Sequence, residues 1–159
     1  LSIIAQSINR AFEETEEVIV VLENTAGQGS NVGYCFEQLA EIIDQVNNKK
    51  RIGVCLDTCH LFSSGYDITT KEAYESTMSE FDSKVGFQFL KGLHLNDSKV
   101  PRGSKVDRHH SIGKGILGMK AFRFIMNDKR FDHIPMVLET IDESLWASEI
   151  QLLNSLVSP

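Results

Sequence analysis

Residues 51–57 read Arg-Ile-Gly-Val-Cys-Leu-Asp (RIGVCLD), an apolar run of strand length that stops on a carboxylate. Three other segments share this form: Glu17–Glu23 (EVIVVLE), Leu90–His94 (LKGLH) and Pro135–Glu139 (PMVLE). A continuous apolar run is what a strand buried on both faces requires, and such strands belong to parallel sheets covered by helices. The intervening segments carry helical periodicity. Ile3, Ile4, Ile8, Ala11 and Phe12 share a face of 1–14, and Phe36, Leu39, Ile42 and Ile43 share a face of 32–46. Residues 70–87, 117–126 and 143–156 read as three more helices, with Thr70 as a candidate N-cap. The predicted order is αβαβαβαβα, an α/β fold of four parallel strands alternating with helices.

Composition supports an ordinary globular chain. Its 159 residues are 42% hydrophobic and 24% charged. No apolar run approaches the ~20 residues needed to cross a bilayer, so no membrane partner is expected. Cys35, Cys55 and Cys59 are odd in number, which favours free thiols in an intracellular setting. The Cys55–Cys59 spacing lacks the second pair of a zinc-thiolate site, and both read as small core residues. Leu1–Phe12 is already helical in character, so an initiator and any targeting segment are expected upstream.

Chemistry concentrates at the strand ends. The four strands finish on Glu23, Asp57, His94 and Glu139, all competent ligands for a divalent metal. Parallel barrels gather their C-terminal strand ends on one face, where catalytic residues collect. Any one of these residues alone is more often a cap or a satisfied polar group; four together are costly to bury unless paired or metal-bound. Three further candidates lie in loops: His60, and the pair Asp107 and His109 within VDRHHS. Alternation turns His110 away from its neighbour, and His133 has no ligand candidate near it. Mixed oxygen and nitrogen donors without thiolate suit zinc, with manganese or iron as substitutes.

The net charge of −6 opposes a nucleic-acid partner. However, several of the acids are metal-ligand candidates, and cations crowd one long irregular segment, 96–115, with Lys99, Arg102, Lys105, Arg108 and Lys114. Gly27 and Gly29 do not match a phosphate-cradling glycine motif and are read as shaping a tight loop after Glu23. Asn24 and Gln28 of that loop are candidate contacts to a sugar or phosphate.

The segments LENTAGQGSNVG (22–33), GVCLDTCHLFSSGYD (53–67), LHLNDSKVPRGSKVDRHHSIGKG (93–115) and PMVLETI (135–141) closely resemble, in order, those of the endonuclease IV family of abasic-site endonucleases. The resemblance runs from Ile19 to Leu153. It implies a xylose-isomerase-like (β/α)8 TIM barrel with three zinc ions at its C-terminal mouth. Residues 1–159 would then be one partial domain, the C-terminal half of that barrel, whose missing N-terminal half supplies the remaining ligands. Glu23 would bridge two zincs, with Asp57, His94 and Glu139 completing one site and His60, Asp107 and His109 holding the third. The whole protein would hold about three zincs, two of them fully ligated from this half.

The implied activity is hydrolysis 5′ to abasic sites in base excision repair, with 3′-blocked ends as a second substrate. Glu139 or Glu23 is the catalytic carboxylate implied, with Glu139 preferred. Asn24, Gln28, Lys99, Arg102, Lys105 and Arg108 are the expected contacts to double-stranded DNA, in a DNA-containing compartment inside the cell. Half a barrel leaves open edges, so this half alone is expected to be inactive. Two other readings fit part of the pattern: a metal-dependent sugar isomerase or epimerase on the same barrel, and an inactive metal-binding remnant.

Overall fold

The computed structural model describes residues 1–158. Four parallel strands form one sheet in the order β1 (Val20–Glu23), β2 (Ile52–Asp57), β3 (Leu90–His94) and β6 (Met136–Val137). Register pairs Glu23 with Cys55, Asp57 with His94, and His94 with Val137. All four strands therefore deliver their C-terminal ends to the same rim. Helices α1 (Ser2–Glu13), α2 (Phe36–Gln45), α4 (Lys71–Lys84), α5 (Met119–Met126) and α6 (Trp146–Asn154) follow one another alongside the sheet. Their apolar faces bury Phe36, Leu39, Tyr74, Phe81 and Phe122 completely. Phe36 stacks on Tyr66 at 4.1 Å and meets Phe81 edge-on at 5.3 Å. No helix among the described residues is long and apolar enough to cross a membrane.

The expected alternation is present, with three differences. The strand expected over 135–139 pairs only at Met136 and Val137, because Pro135 has no amide to donate and the Glu139 amide donates to the Asn96 side chain instead. The strand expected from Glu17 starts at Val20, since the carbonyls of Thr15 and Val18 are taken by the Arg51 guanidinium at 2.8 and 2.9 Å.

A short helix, α3 (Thr58–Ser64), follows β2 with no intervening loop, so His60 is helical and not in a loop. Asp57 caps α3 by accepting from the His60 amide at 2.8 Å. Every residue of α3 but the last is buried, so it has no solvent face to give a period.

The long segment after β3 is more ordered than its composition suggests. Asp97–Ser98 (β4) and His109–His110 (β5) pair antiparallel, folding the basic stretch between them into an extended turn. Asp97 closes its far end. Its buried carboxylate accepts from the amides of Ser98, Gly115, Leu117 and Gly118 at 2.7–3.3 Å. A Cβ on Gly115 would sit 2.4 Å from both an Asp97 carboxylate oxygen and the Ser98 carbonyl, so only glycine fits there.

Candidate metal centre

Glu23, Asp57, His94 and Glu139 converge at the rim, with one donor atom from each lying within 4.8 Å of all the others. His94 is central: its Nδ1 lies 3.1 Å from Glu23 Oε1 and 3.2 Å from Glu139 Oε2. Beside this group is a second. His60 Nε2 lies 3.2 Å from Asp107 Oδ2 and 3.3 Å from His109 Nε2, and His109 Nε2 is 3.4 Å from Asp107 Oδ1. Tetrahedral zinc with bonds of 2.0–2.1 Å has ligand–ligand edges of about 3.3–3.4 Å. The distances among His60, Asp107 and His109, and those from His94 to Glu23 and Glu139, lie close to that edge.

Tautomers are set from behind. His60 Nδ1 donates to the Asn24 carbonyl at 2.8 Å, and His109 Nδ1 donates to the Glu139 carbonyl at 3.1 Å. Each ring thereby turns its Nε2 edge toward Asp107, held from behind by the kind of outer hydrogen bond that metal-ligating histidines use. Both carbonyls belong to residues at the end of a ligand-bearing strand.

Electrostatics agree with this arrangement. Burial works to raise the Glu23 carboxyl, but the hydrogen bonds and charges of His60 and His94 outweigh it and hold it at about 2. Burial works to lower His60, yet the Glu23 hydrogen bond and the charges of Asp57 and Asp107 lift it to about 9. His94 rises to about 11 through its hydrogen bonds to Cys55 and then Glu23. The Asp57 carboxyl is pushed up by burial. Imidazoles driven toward their charged forms within a ring of carboxylates supply positive charge where a divalent cation would supply it. The donor set therefore fits a metal.

All seven ligand candidates read from the sequence are thus brought together. Cys55 and Cys59 are buried, as expected of core thiols. The Cys59 sulfur nevertheless comes within 4.8 Å of donor atoms of Asp107 and His109. Burial pushes its thiol up to about 11, which in this environment keeps it a thiol and a poor ligand. His110 faces a different cavity, lined with Glu149 and Leu152, and His133 is exposed.

The expected DNA contacts are placed less uniformly. Asn24 is buried, and its side chain brackets the Asp57 backbone, accepting from the amide at 2.6 Å and donating to the carbonyl at 3.3 Å. Gln28 lies at the surface and accepts from the Asp107 amide at 3.1 Å, joining the glycine loop to the basic turn. Arg102 is held by Asp67 at 2.5 Å, and Lys105 lies 4.8 Å from the centre of the Tyr34 ring. Lys99 and Arg108 are exposed, and Arg108 donates to the Asp107 carbonyl at 2.6 Å.

Three supports of the site carry little sequence signal. Asn96 and Asp97 are wholly buried, and Glu149 nearly so. Glu149 accepts from the Ile112 amide at 2.8 Å and from the Thr140 hydroxyl at 2.5 Å, tying the segment after β5 to the segment after Glu139. Asn96 does have a weak signal, since it follows His94 by two residues and so repeats its direction along an extended chain.

Comparison with known proteins bears on this geometry. The family model described as xylose isomerase-like TIM barrel matches residues 2–156. The chain belongs to that family. Within it the similarity is to endonuclease IV proteins. The chain is 60% identical over 154 residues to a probable endonuclease 4 of Campylobacter hominis, covering 97% of this chain and 55% of that protein. It is 55% identical over 156 residues to the probable endonuclease 4 of Campylobacter curvus, covering 98% and 55%. The crystal structure of endonuclease IV from Thermus thermophilus superposes with a TM-score of 0.83 at 29% identity, covering 96% of this chain and 55% of that one. The chain thus spans about half the length of the relatives it matches. Its four parallel strands with alternating helices are a corresponding share of a TIM barrel.

Proposed function

We propose that this chain is the C-terminal half of an eight-stranded barrel, and that the whole protein is a zinc-dependent endonuclease of the endonuclease IV type. Its reaction would be hydrolysis of the phosphodiester 5′ to an abasic site, leaving a 3′-hydroxyl and a 5′-deoxyribose phosphate, with blocked 3′ ends as a second substrate. The observation that carries this reading is the second ligand group. Glu23, Asp57, His94 and Glu139 would also suit a metal-dependent sugar isomerase. The adjacent triangle of His60, Asp107 and His109, with edges of 3.2–3.4 Å and two corners on a cationic turn, suits phosphodiester chemistry on a polyanion. The apolar concave surface below the site supports the missing half. Val21 and Val137 there are 43% and 52% exposed, which the remaining strands of a closed barrel would cover.

Glu23, Asp57, His94 and Glu139 would hold one part of the zinc cluster, and His60, Asp107 and His109 another. Bound there, zinc supplies a hydroxide near neutral pH and positive charge for the phosphate and the leaving oxygen. The chain's own residues do the rest. Glu139, whose side chain is more exposed than that of Glu23, would orient and deprotonate the attacking water. Glu23, held ionised by His60 and His94, keeps its charge at the junction of the two groups. Arg108 and Lys99 offer phosphate contacts at the surface, so the local field attracts DNA although the net charge is −6. Such a substrate places the protein in a DNA-containing compartment of the cell.

The test uses the polypeptide at the full length of its relatives and a duplex carrying one tetrahydrofuran abasic analogue. Incision on the 5′ side, lost in Glu139→Gln, with zinc counted by native mass spectrometry, is the expected result. A folded, zinc-loaded protein that leaves this duplex intact would overturn the nuclease reading and direct attention to sugar substrates.

A further inference from the structure

Asp57 is the most enclosed ligand candidate, with its side chain 0% exposed, and the way it is held involves a residue outside the ligand set. One carboxylate oxygen, Oδ1, is taken by the His60 amide at the start of α3. The other, Oδ2, accepts from Asn96 Nδ2 at 2.6 Å. The opposite end of the same carboxamide, Asn96 Oδ1, accepts from the Glu139 amide at 2.9 Å. A single planar group therefore spans two ligand candidates, touching the carboxylate of one and the backbone of the other. Asn96 is itself locked in place: its amide donates to Thr58 Oγ1 at 2.9 Å, while Thr58 Oγ1 donates to the Asn96 carbonyl at 2.6 Å. All but the part-buried Glu139 bond are buried, and the residues they join lie in three successive β/α units.

We infer that Asn96 is a positioning residue of the metal centre, setting the Asp57 carboxylate and the Glu139 strand end at the separation that one divalent cation requires. The inference rests on the metal-centre reading proposed above. Three features of the geometry make the role specific. The planar carboxamide fixes the distance between its two partners, which a flexible side chain would not. Its donor end faces the carboxylate oxygen, so the Asp57 rotamer is chosen by a hydrogen bond and not by packing alone. Its acceptor end faces a main-chain amide, which only a carbonyl oxygen or another acceptor at that point can satisfy. Side chains holding metal ligands from behind typically affect metal affinity by about 10–100-fold when removed.

Two substitutions separate positioning from bulk stability. Asn96→Asp keeps an acceptor for the Glu139 amide and nearly the same shape, while the donor to Asp57 is replaced by an acceptor. Asn96→Leu keeps the volume and removes both ends. Zinc affinity would be measured in the protein at its relatives' full length by competition with a chromogenic chelator. Bound metal would be counted by native mass spectrometry, and melting of the chelator-treated protein would be recorded alongside.

The expected result is a loss of zinc affinity of about 10–100-fold in Asn96→Asp, with one fewer metal retained, read well below its metal-free melting temperature, which the second buried carboxylate beside Asp57 lowers. Wild-type zinc affinity in a folded Asn96→Asp protein would overturn the inference. So would an affinity loss confined to temperatures at which the metal-free variants are partly unfolded, since Asn96 would then be only a core brace. Should Asn96→Leu fail to fold, Asn96→Asp still decides. The readout is metal binding, so absence of nuclease activity in a parent that binds zinc would defeat the nuclease reading and leave this inference standing. A parent that binds no zinc would defeat both.

Discussion

Asp97 offers the sharpest perturbation outside the ligand set. Its Oδ1 accepts from the amides of Ser98, Leu117 and Gly118, and its Oδ2 accepts from Gly115 and shares Gly118. Asp97→Asn with its oxygen left at the Oδ1 position keeps three of these donors. It removes the only acceptor of the Gly115 amide in this group and points an NH2 at it. Three bonds then pass from a charged to a neutral acceptor, at about 1 kcal/mol each, and one buried donor is orphaned at about 1–3 kcal/mol. Allowing for non-additivity, the cost is about 3–5 kcal/mol.

That cost falls on the segment that carries Asp107 and His109, so the second ligand group should loosen while the strand-end group persists. The assay is urea unfolding of the metal-free protein, with zinc counted by native mass spectrometry before unfolding. An Asp97→Asn protein with an unchanged midpoint and an unchanged metal count would refute the claim that this carboxylate fastens the turn.

Three more outcomes are expected. His109→Ala should lose the metal of the second group and keep the one at Glu23, Asp57, His94 and Glu139, because His109 Nε2 lies 3.3 Å from His60 Nε2 and 3.4 Å from Asp107 Oδ1; loss of all bound zinc, counted by mass spectrometry, would contradict two separable groups. Metal-free protein should lose thermal stability as pH rises from 6.5 through about 9, because the His60 pKa is raised on folding and its stabilising charge is complete only below the unfolded value. Zinc-loaded protein should gain over the metal-free form across the same interval, since ligands bind metal deprotonated; a flat metal-free melting curve would contradict the ion-pair account. Gly115→Ala should destabilise the turn much as Asp97→Asn does, because the new Cβ meets a carboxylate oxygen and a carbonyl; unchanged melting would show that the backbone yields there.

Periodicity and strand endings carried a large share of the result. Glu23, Asp57, His94 and Glu139 were recognisable because a parallel sheet places every strand's C-terminal end on one rim, and a charged group ending an apolar run is visible in one dimension. Their partners in the second group were recognisable as residue types, but the helical setting of His60 was not. A helix buried on every side has no apolar stripe, so TCHLFSS shows no period.

What only the tertiary structure decided is what each polar side chain does once buried. Asn24 and Asn96 look alike in sequence, as uncharged polar residues just past a strand. Asn24 proves to be committed to the Asp57 peptide, and Asn96 joins a carboxylate to a neighbouring strand end. Asp97 stands beside Asn96 and points instead into a nest of amides about 20 residues downstream. Hydrogen-bond partners are chosen by proximity across the fold, and the sequence encodes that proximity only through the packing of the entire chain. Which residues end the strands is local and was readable from the sequence; the bonds that aim those side chains are long-range and were not.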